Sequence, residues 1–175
     1  MRRKARQFLF EFFQPLAGAF HVVAEAGYVG RKALRHHRAD QQWVLVEEVL
    51  RLSTPTANMW RVCKQDTEVN GTKIPAGSMI QIRYSSADRD ERIFERAEAF
   101  DVTRKNARQN VAFGYGVHMC IGASLARKEM EVAFRVLLGR VKDIALDCAE
   151  SDLLYPPNVL LRGLATLPIR FAPQR

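Results

Sequence analysis

Cysteine is scarce in this 175-residue chain, and its three copies, Cys63, Cys120 and Cys148, stand at irregular spacing. That spacing excludes a disulfide framework and a C-x-x-C zinc site, and it fits a reducing, cytoplasmic setting. Also missing is an unbroken apolar run of about 20 residues, the length a membrane-spanning helix needs. The nearest approach, FLFEFFQPLAGAFHVV behind the basic start MRRKARQ, is broken by Glu11, Gln14, Pro15 and His21. Ala24-Glu25-Ala26 has the small residues of a cleavage site, but the interrupted segment before it supports neither a clean signal peptide nor a membrane span. There is no internal repeat and no low-complexity linker.

Acidic residues are the minority, 19 against 27 lysines and arginines, for a net charge of +8. An excess of that size invites a nucleic-acid partner. The basic residues are scattered, however, with acids among them in most segments and no nucleic-acid motif interleaving them with aromatics. The expectation is a solvated basic surface and no nucleic-acid ligand. With 47% apolar and 26% charged residues, the composition is that of one ordinary globular domain with a real core.

What the chain does contain is the stretch FGYGVHMCIGASLAR, from Phe113 to Arg127. Gly114 and Gly116 allow the positive-φ backbone that lets a loop bulge toward a flat ligand. Cys120 ends that loop, just before a helix that Gly122 opens. A thiolate placed there feels the positive end of the helix dipole, worth roughly half an elementary charge. Gly122 has no side chain to hold a broad planar group away. On its own, a free cysteine is as readily a small buried hydrophobe.

The stretch resembles, position by position, the haem-binding loop of the cytochrome P-450 family, F-G-x-G-x-H-x-C-x-G followed by L-A-R. Phe113, Gly114, Gly116, His118, Cys120, Gly122, Leu125, Ala126 and Arg127 fill every fixed position. The resemblance implies haem b as cofactor, with Cys120 as the axial thiolate ligand of its iron. It implies His118 as a donor to a haem propionate and Phe113 as the ring beneath the sulfur.

Other segments extend the resemblance. Trp43, Val46, Val49 and Leu50 recur at helical spacing between Ala39 and Leu52. Glu48 and Arg51 share a face there and match the family's E-x-x-R pair, a buried structural pair behind the haem. Pro55 ends the helix, and Thr56, Ala57 and Asn58 match a connection that touches substrate in relatives. Arg61, in a short strand from Trp60 to Cys63, matches an arginine directed at a propionate, which its forked guanidinium suits. Val69-Asn70-Gly71 and Ile74-Pro75-Ala76-Gly77 are turn signals around short strands, with Met79, Ile80 and Ile82 in the next one.

Phe94 to Arg104 resembles the family's meander, with Ala97 in place of a proline. Ala99 stands where relatives often carry a basic residue that completes a triad with Glu48 and Arg51, a departure expected to weaken the core. Ala126, Met130, Ala133, Phe134, Leu137, Leu138 and Val141 form the apolar stripe of the helix after Cys120. The tail, Asn158 to Phe171, resembles a terminal hairpin that reaches the substrate pocket in bacterial relatives. Leu16-Ala17-Gly18-Ala19 resembles the oxygen-side helix, but Phe20 and His21 stand where relatives place the acid and threonine of proton delivery. Histidine is the side chain suited to shuttling protons near neutral pH, and His21 could do so in their stead, though a histidine in an apolar run is more often packed or solvated.

The expected architecture is mainly α with a small β region, the incomplete C-terminal portion of a cytochrome P-450 fold of bacterial type. Residues 1–47 are expected to be a divergent remnant of the distal, oxygen-side helix region, and 48–175 the haem-binding part. The implied activity is that of a haem-thiolate monooxygenase, inserting one atom of dioxygen into a small organic substrate. Electrons would come from a ferredoxin, flavodoxin or reductase docking on the basic face. Lacking the acid–threonine pair and most of the pocket, the 175 residues alone are expected to turn over weakly or not at all. The alternative is a non-catalytic haem-binding remnant or an inert fragment.

Overall fold

Helix α1, Gln42–Ser53, is the post around which the remaining elements gather. Val46, Val49 and Leu50 fall on one face at steps of three and four, and Leu45 and Leu52 widen it. Enclosure goes further than an amphipathic stripe requires, since every residue from Leu45 to Thr54 is buried, Glu47, Glu48 and Arg51 included. Trp43, which shares the apolar spacing, departs from it and is 49% exposed. The helix stops at Thr54, whose φ of 35° is outlying for a β-branched residue. Two bonds hold it there: its N–H donates to the Leu50 carbonyl at 2.8 Å and its hydroxyl to the Arg51 carbonyl at 2.7 Å. Pro55 then prevents continuation.

The computed structural model describes residues 42–174. The expected remnant of the oxygen-side helix, with Phe20, His21 and Ala24-Glu25-Ala26, lies outside the described residues.

Beyond α1, strand β1 (Asn58–Val62) pairs antiparallel with β4 (Met79–Arg83), with Arg61 opposite Ile80. Between them β2 (Thr67–Val69) and β3 (Thr72–Ile74) make a hairpin with Val69 opposite Thr72. Asn70 and Gly71 form its two-residue turn with φ of 48° and 78°, the left-handed pair that matches strand twist. A single helical turn, α2 (Tyr84–Ala87), leads from β4 into the irregular stretch that ends at the cysteine loop.

Helix α3 (Ala123–Arg140) follows that loop and buries Met130, Phe134 and Leu137. These three pack with Leu45, Val46, Val49, Leu50 and Leu52 of α1, and with Val102 and Ala112. At about 1.5–3 kcal/mol per fully buried large aliphatic or aromatic side chain, this α1–α3 contact is the main apolar contribution within the described residues.

The tail is not the local hairpin expected. Its two arms pair with different partners: Leu161 bridges Thr56, and β6 (Ile169–Pro173) pairs with β5 (Val141–Leu146), which continues directly from α3. An irregularity between Lys142 and Ala145, with Asp143 at φ 56°, breaks that register. Non-local pairing of this kind ties the chain's end back to α3 and to the start of β1.

Candidate functional site: the Cys120 loop

Gly114 and Gly116 have φ of 75° and 68°, the left-handed geometry expected of them. The loop folds back so that the Cys120 N–H donates to the Phe113 carbonyl at 2.9 Å, while the Met119 N–H closes on Gly116 at 3.0 Å. The Cys120 carbonyl accepts the Ala123 N–H at 3.1 Å, joining the loop to the first turn of α3. Gly122 caps that helix, and a Cβ there would lie 3.7 Å from the Cys120 sulfur. The first turn of α3 carries no acidic side chain to offset the positive end of its dipole.

Cys120 is exposed, unlike buried Cys63, whose thiol donates to the Gln65 carbonyl at 3.0 Å. Around Cys120 stand Tyr115, Val117, Met119, Ile121 and Leu125, all apolar and all exposed, Val117 at 97%. Apolar side chains held outward beside a thiol form a surface that gains free energy when a flat apolar group covers it. Such an arrangement can hold a metal through sulfur beneath a broad ligand.

The remaining expected site residues divide in two. Phe113 and Gly114 are half-buried within the same loop, and a Cβ on Gly114 would lie 3.4 Å from the Tyr84 hydroxyl. His118 is exposed in a short helical turn, Gly116–His118. Arg61 lies on β1, half-buried, with Nη1 donating to the Trp60 carbonyl at 2.8 Å. Of the weaker substrate-contact candidates, Thr56 bridges Leu161, the Ala57 N–H donates to the Leu160 carbonyl at 2.9 Å, and Asn58 Nδ2 donates to the Val159 carbonyl at 3.0 Å. All three are thereby placed against the tail.

Behind the loop lies a buried ionic cluster. Glu48 and Arg51, both fully buried, form a two-point pair of 2.8 Å each, Nη2 to Oε1 and Nε to Oε2. Nη1 of Arg51 donates to the carbonyls of Asp88 and Ala97 at 2.8 and 2.7 Å, and Nη2 to that of Ala99 at 3.2 Å. The Arg51 guanidinium also lies over the Phe94 ring at 5.1 Å.

A third charge joins the cluster. Arg104 Nε donates to Glu48 Oε1 at 3.1 Å, so the basic member thought lost at Ala99 is supplied by Arg104. Ala99 contributes its carbonyl instead, to both guanidiniums. The polar groups at this position are therefore satisfied, as burial demands, without a basic side chain at Ala99.

Two connections had no signal in the spacing. Glu47, adjacent to Glu48, accepts from Arg127 and Asn110, one on each side of the cysteine loop. Asp88 accepts the Val111 N–H on Oδ1 at 2.7 Å, and its Oδ2 is hydrogen-bonded to the Thr54 hydroxyl oxygen at 3.2 Å. Burial pushes the Asp88 carboxyl up to about 6, against the opposing pull of those two hydrogen bonds and of Arg51 and Arg89.

Comparison with known proteins finds related chains. The cytochrome P450 family profile matches residues 43–142. The monooxygenase PikC of Streptomyces venezuelae is 36% identical over 176 residues, covering 90% of this chain and 42% of PikC. The polyketide-biosynthesis cytochrome P450 PksS of Bacillus subtilis is 42% identical over 127 residues, covering 71% of this chain and 31% of PksS. The substrate-free structure of CYP150A6 from Mycobacterium marinum superposes with a TM-score of 0.83 at 31% identity, covering 96% of this chain and 44% of that one. The chain belongs to the cytochrome P450 family, in its bacterial type, and spans less than half the length of these relatives.

Membership of this family implies a haem cofactor. The residues fit such a group: an exposed sulfur, a helix whose first turn carries no acid, a Cβ-free position at Gly122 and exposed apolar neighbours in the loop. Among the described residues no helix is long and apolar enough to cross a membrane, and no cluster of three or more histidine, cysteine or acidic side chains offers a different metal site.

Proposed function

We propose that this chain provides the cysteine-bearing floor of a haem-thiolate monooxygenase, with residues 48–175 as the haem-binding part and 1–47 as a divergent oxygen-side segment. Haem b, when bound, supplies the activation of dioxygen from which one atom passes to an organic substrate. Cys120 is the axial ligand in this reading, presented beside Gly122 at the head of α3. His118 and Arg61 are the propionate donors. Arg61 keeps free guanidinium hydrogens after its bond to Trp60, so a carboxylate can be held at its fork. Phe113 fixes the sulfur's height through the carbonyl that takes the Cys120 N–H. Electrons would be delivered by a ferredoxin, flavodoxin or reductase, drawn by the excess of positive charge.

The observation that carries the reading is the exposed Cys120 thiol amid outward-facing apolar side chains at the head of α3. Weak or no turnover by the 175 residues alone is supported by their covering 42% of PikC and 31% of PksS, and by Phe20 and His21 at the places of the acid–threonine pair. The test is to add haem, reduce it, add carbon monoxide and record the absorption spectrum. The expected result is the strongly red-shifted main band of a thiolate-ligated complex, abolished by Cys120→His. An imidazole-type spectrum in the unaltered chain would reassign the ligand, and failure to bind haem would leave a non-catalytic fragment.

A further inference from the structure

Glu47 lies next to the Glu48–Arg51 pair in sequence but does a different job. On a helix, adjacent residues point about 100° apart, and Glu47 is turned toward the cysteine loop. Its buried carboxylate receives Arg127 Nε on Oε1 at 2.7 Å and Arg127 Nη2 on Oε2 at 3.3 Å. Oε2 also accepts from Asn110 Nδ2 at 2.9 Å. Asn110 precedes the loop and Arg127 follows it, so one carboxylate holds both ends.

The hold reaches the thiol along a continuous path. The Arg127 guanidinium lies over the Phe113 ring, 4.8 Å from its centroid. Phe113 in turn packs against the α1–α3 core and offers its carbonyl to the Cys120 N–H at 2.9 Å. Asn110 fixes the other end, its Oδ1 accepting the Ala112 N–H at 3.2 Å and its Nδ2 donating to the Ala107 carbonyl at 2.8 Å. Charge-assisted, two-point pairing of this kind sets orientation as well as proximity.

We propose that Glu47 is a positioning residue for Cys120, acting through Arg127 and Phe113 to set the height and angle at which the thiol is presented. The inference rests on reading Cys120 as the ligand of haem iron, and it adds a requirement distinct from the folding role of Glu48 and Arg51. Glu47→Gln keeps the shape but removes the charge that draws Arg127 in. Arg127→Lys keeps a cation but loses the planar fork and the stack on Phe113.

The test begins with amide hydrogen exchange on the whole chain without haem. Both variants are expected to speed exchange across residues 111–122 about tenfold while residues 130–137 of α3 keep the wild-type rate. Equal acceleration in both regions would reduce Glu47 to a general stabiliser and overturn the proposal. So would a loop that exchanges at the wild-type rate, or an effect of Glu47→Gln that Arg127→Lys does not reproduce. With haem, reductant and carbon monoxide added, both variants should lower the share of thiolate-type complex several-fold, and an unchanged share would sink the role toward the iron. A wild-type chain with no thiolate band would instead defeat the monooxygenase reading, with the exchange comparison still deciding whether the clamp on the loop exists.

Discussion

Arg104 and Glu48, separated by 56 positions, meet at 3.1 Å in the interior, with Arg104 donating from Nε to Oε1. That same oxygen accepts Arg51 Nη2 at 2.8 Å and the Asp101 N–H at 3.0 Å. One buried carboxylate thus serves two guanidiniums and a backbone amide. Arg104 uses its other nitrogens on the carbonyls of Glu95, Arg96 and Ala99, which binds the meander to α1. Two arginines thus hold this part of the chain through its backbone carbonyls, beside the buried side chains of Phe94, Ala97 and Val102.

The asymmetry of the cluster sets an order of mutational cost. Glu48→Gln removes the carboxylate to which both buried guanidiniums are bonded and should destabilise by about 3–5 kcal/mol. Arg104→Ala leaves Glu48 still paired with Arg51, so its cost should be lower, about 1–3 kcal/mol, arising from the carbonyls it abandons. Urea unfolding followed by circular dichroism would rank the two. An Arg104→Ala chain as unstable as Glu48→Gln would contradict the geometry.

How much of this was legible beforehand depended on the range of each interaction. Glu48 and Arg51 lie one helical turn apart, and Asn70-Gly71 is a local turn, so spacing alone disclosed them. The cysteine loop was legible for the same reason, its glycines and Cys120 being consecutive parts of one local shape. Arg104, Glu47 and Asp88 were not, because each finds its partner across a long loop and nothing in the spacing selects that partner. Trp43 was misplaced because helical periodicity tells which residues share a face but not where the neighbouring element ends. The tail was misread as a hairpin for a related cause: its two arms have strand-like composition, and their partners are set by the placement of β5 and Thr56.

Gly114 and Gly116 should respond to substitution through backbone strain alone. No atom lies within 4 Å of a Cβ at Gly116, and the nearest to one at Gly114 is the Tyr84 hydroxyl at 3.4 Å, an ordinary contact. With φ of 75° and 68° at the two positions, alanine at either should cost about 1–2 kcal/mol. Gly116→Asn should cost less, since asparagine enters the left-handed region more readily. Differential scanning calorimetry of the three variants would check this, and a Gly114→Ala effect rescued by Tyr84→Phe would show a steric cause instead.

Asp88 gives the pH prediction. Its carboxyl is raised from 3.8 to about 6 by burial, so the fold favours its protonated form. The sign follows: the stability it contributes is complete below about pH 3.8 and is lost as pH rises through about 6. Asp88→Asn removes the titration while keeping an acceptor for the Val111 N–H and an amide that can donate to the Thr54 hydroxyl oxygen. That hydroxyl is free to accept, because its own hydrogen has the Arg51 carbonyl 2.7 Å away. The difference in unfolding free energy between Asp88→Asn and the unaltered chain should therefore shift toward the variant by about 1–3 kcal/mol between acid and neutral pH. Most of that change should fall between pH 3.8 and about 6. Denaturant titrations at several pH values would measure it. A difference that shifts the other way with rising pH would mean that Arg51 and Arg89 outweigh burial and that the charged carboxylate is the favoured form.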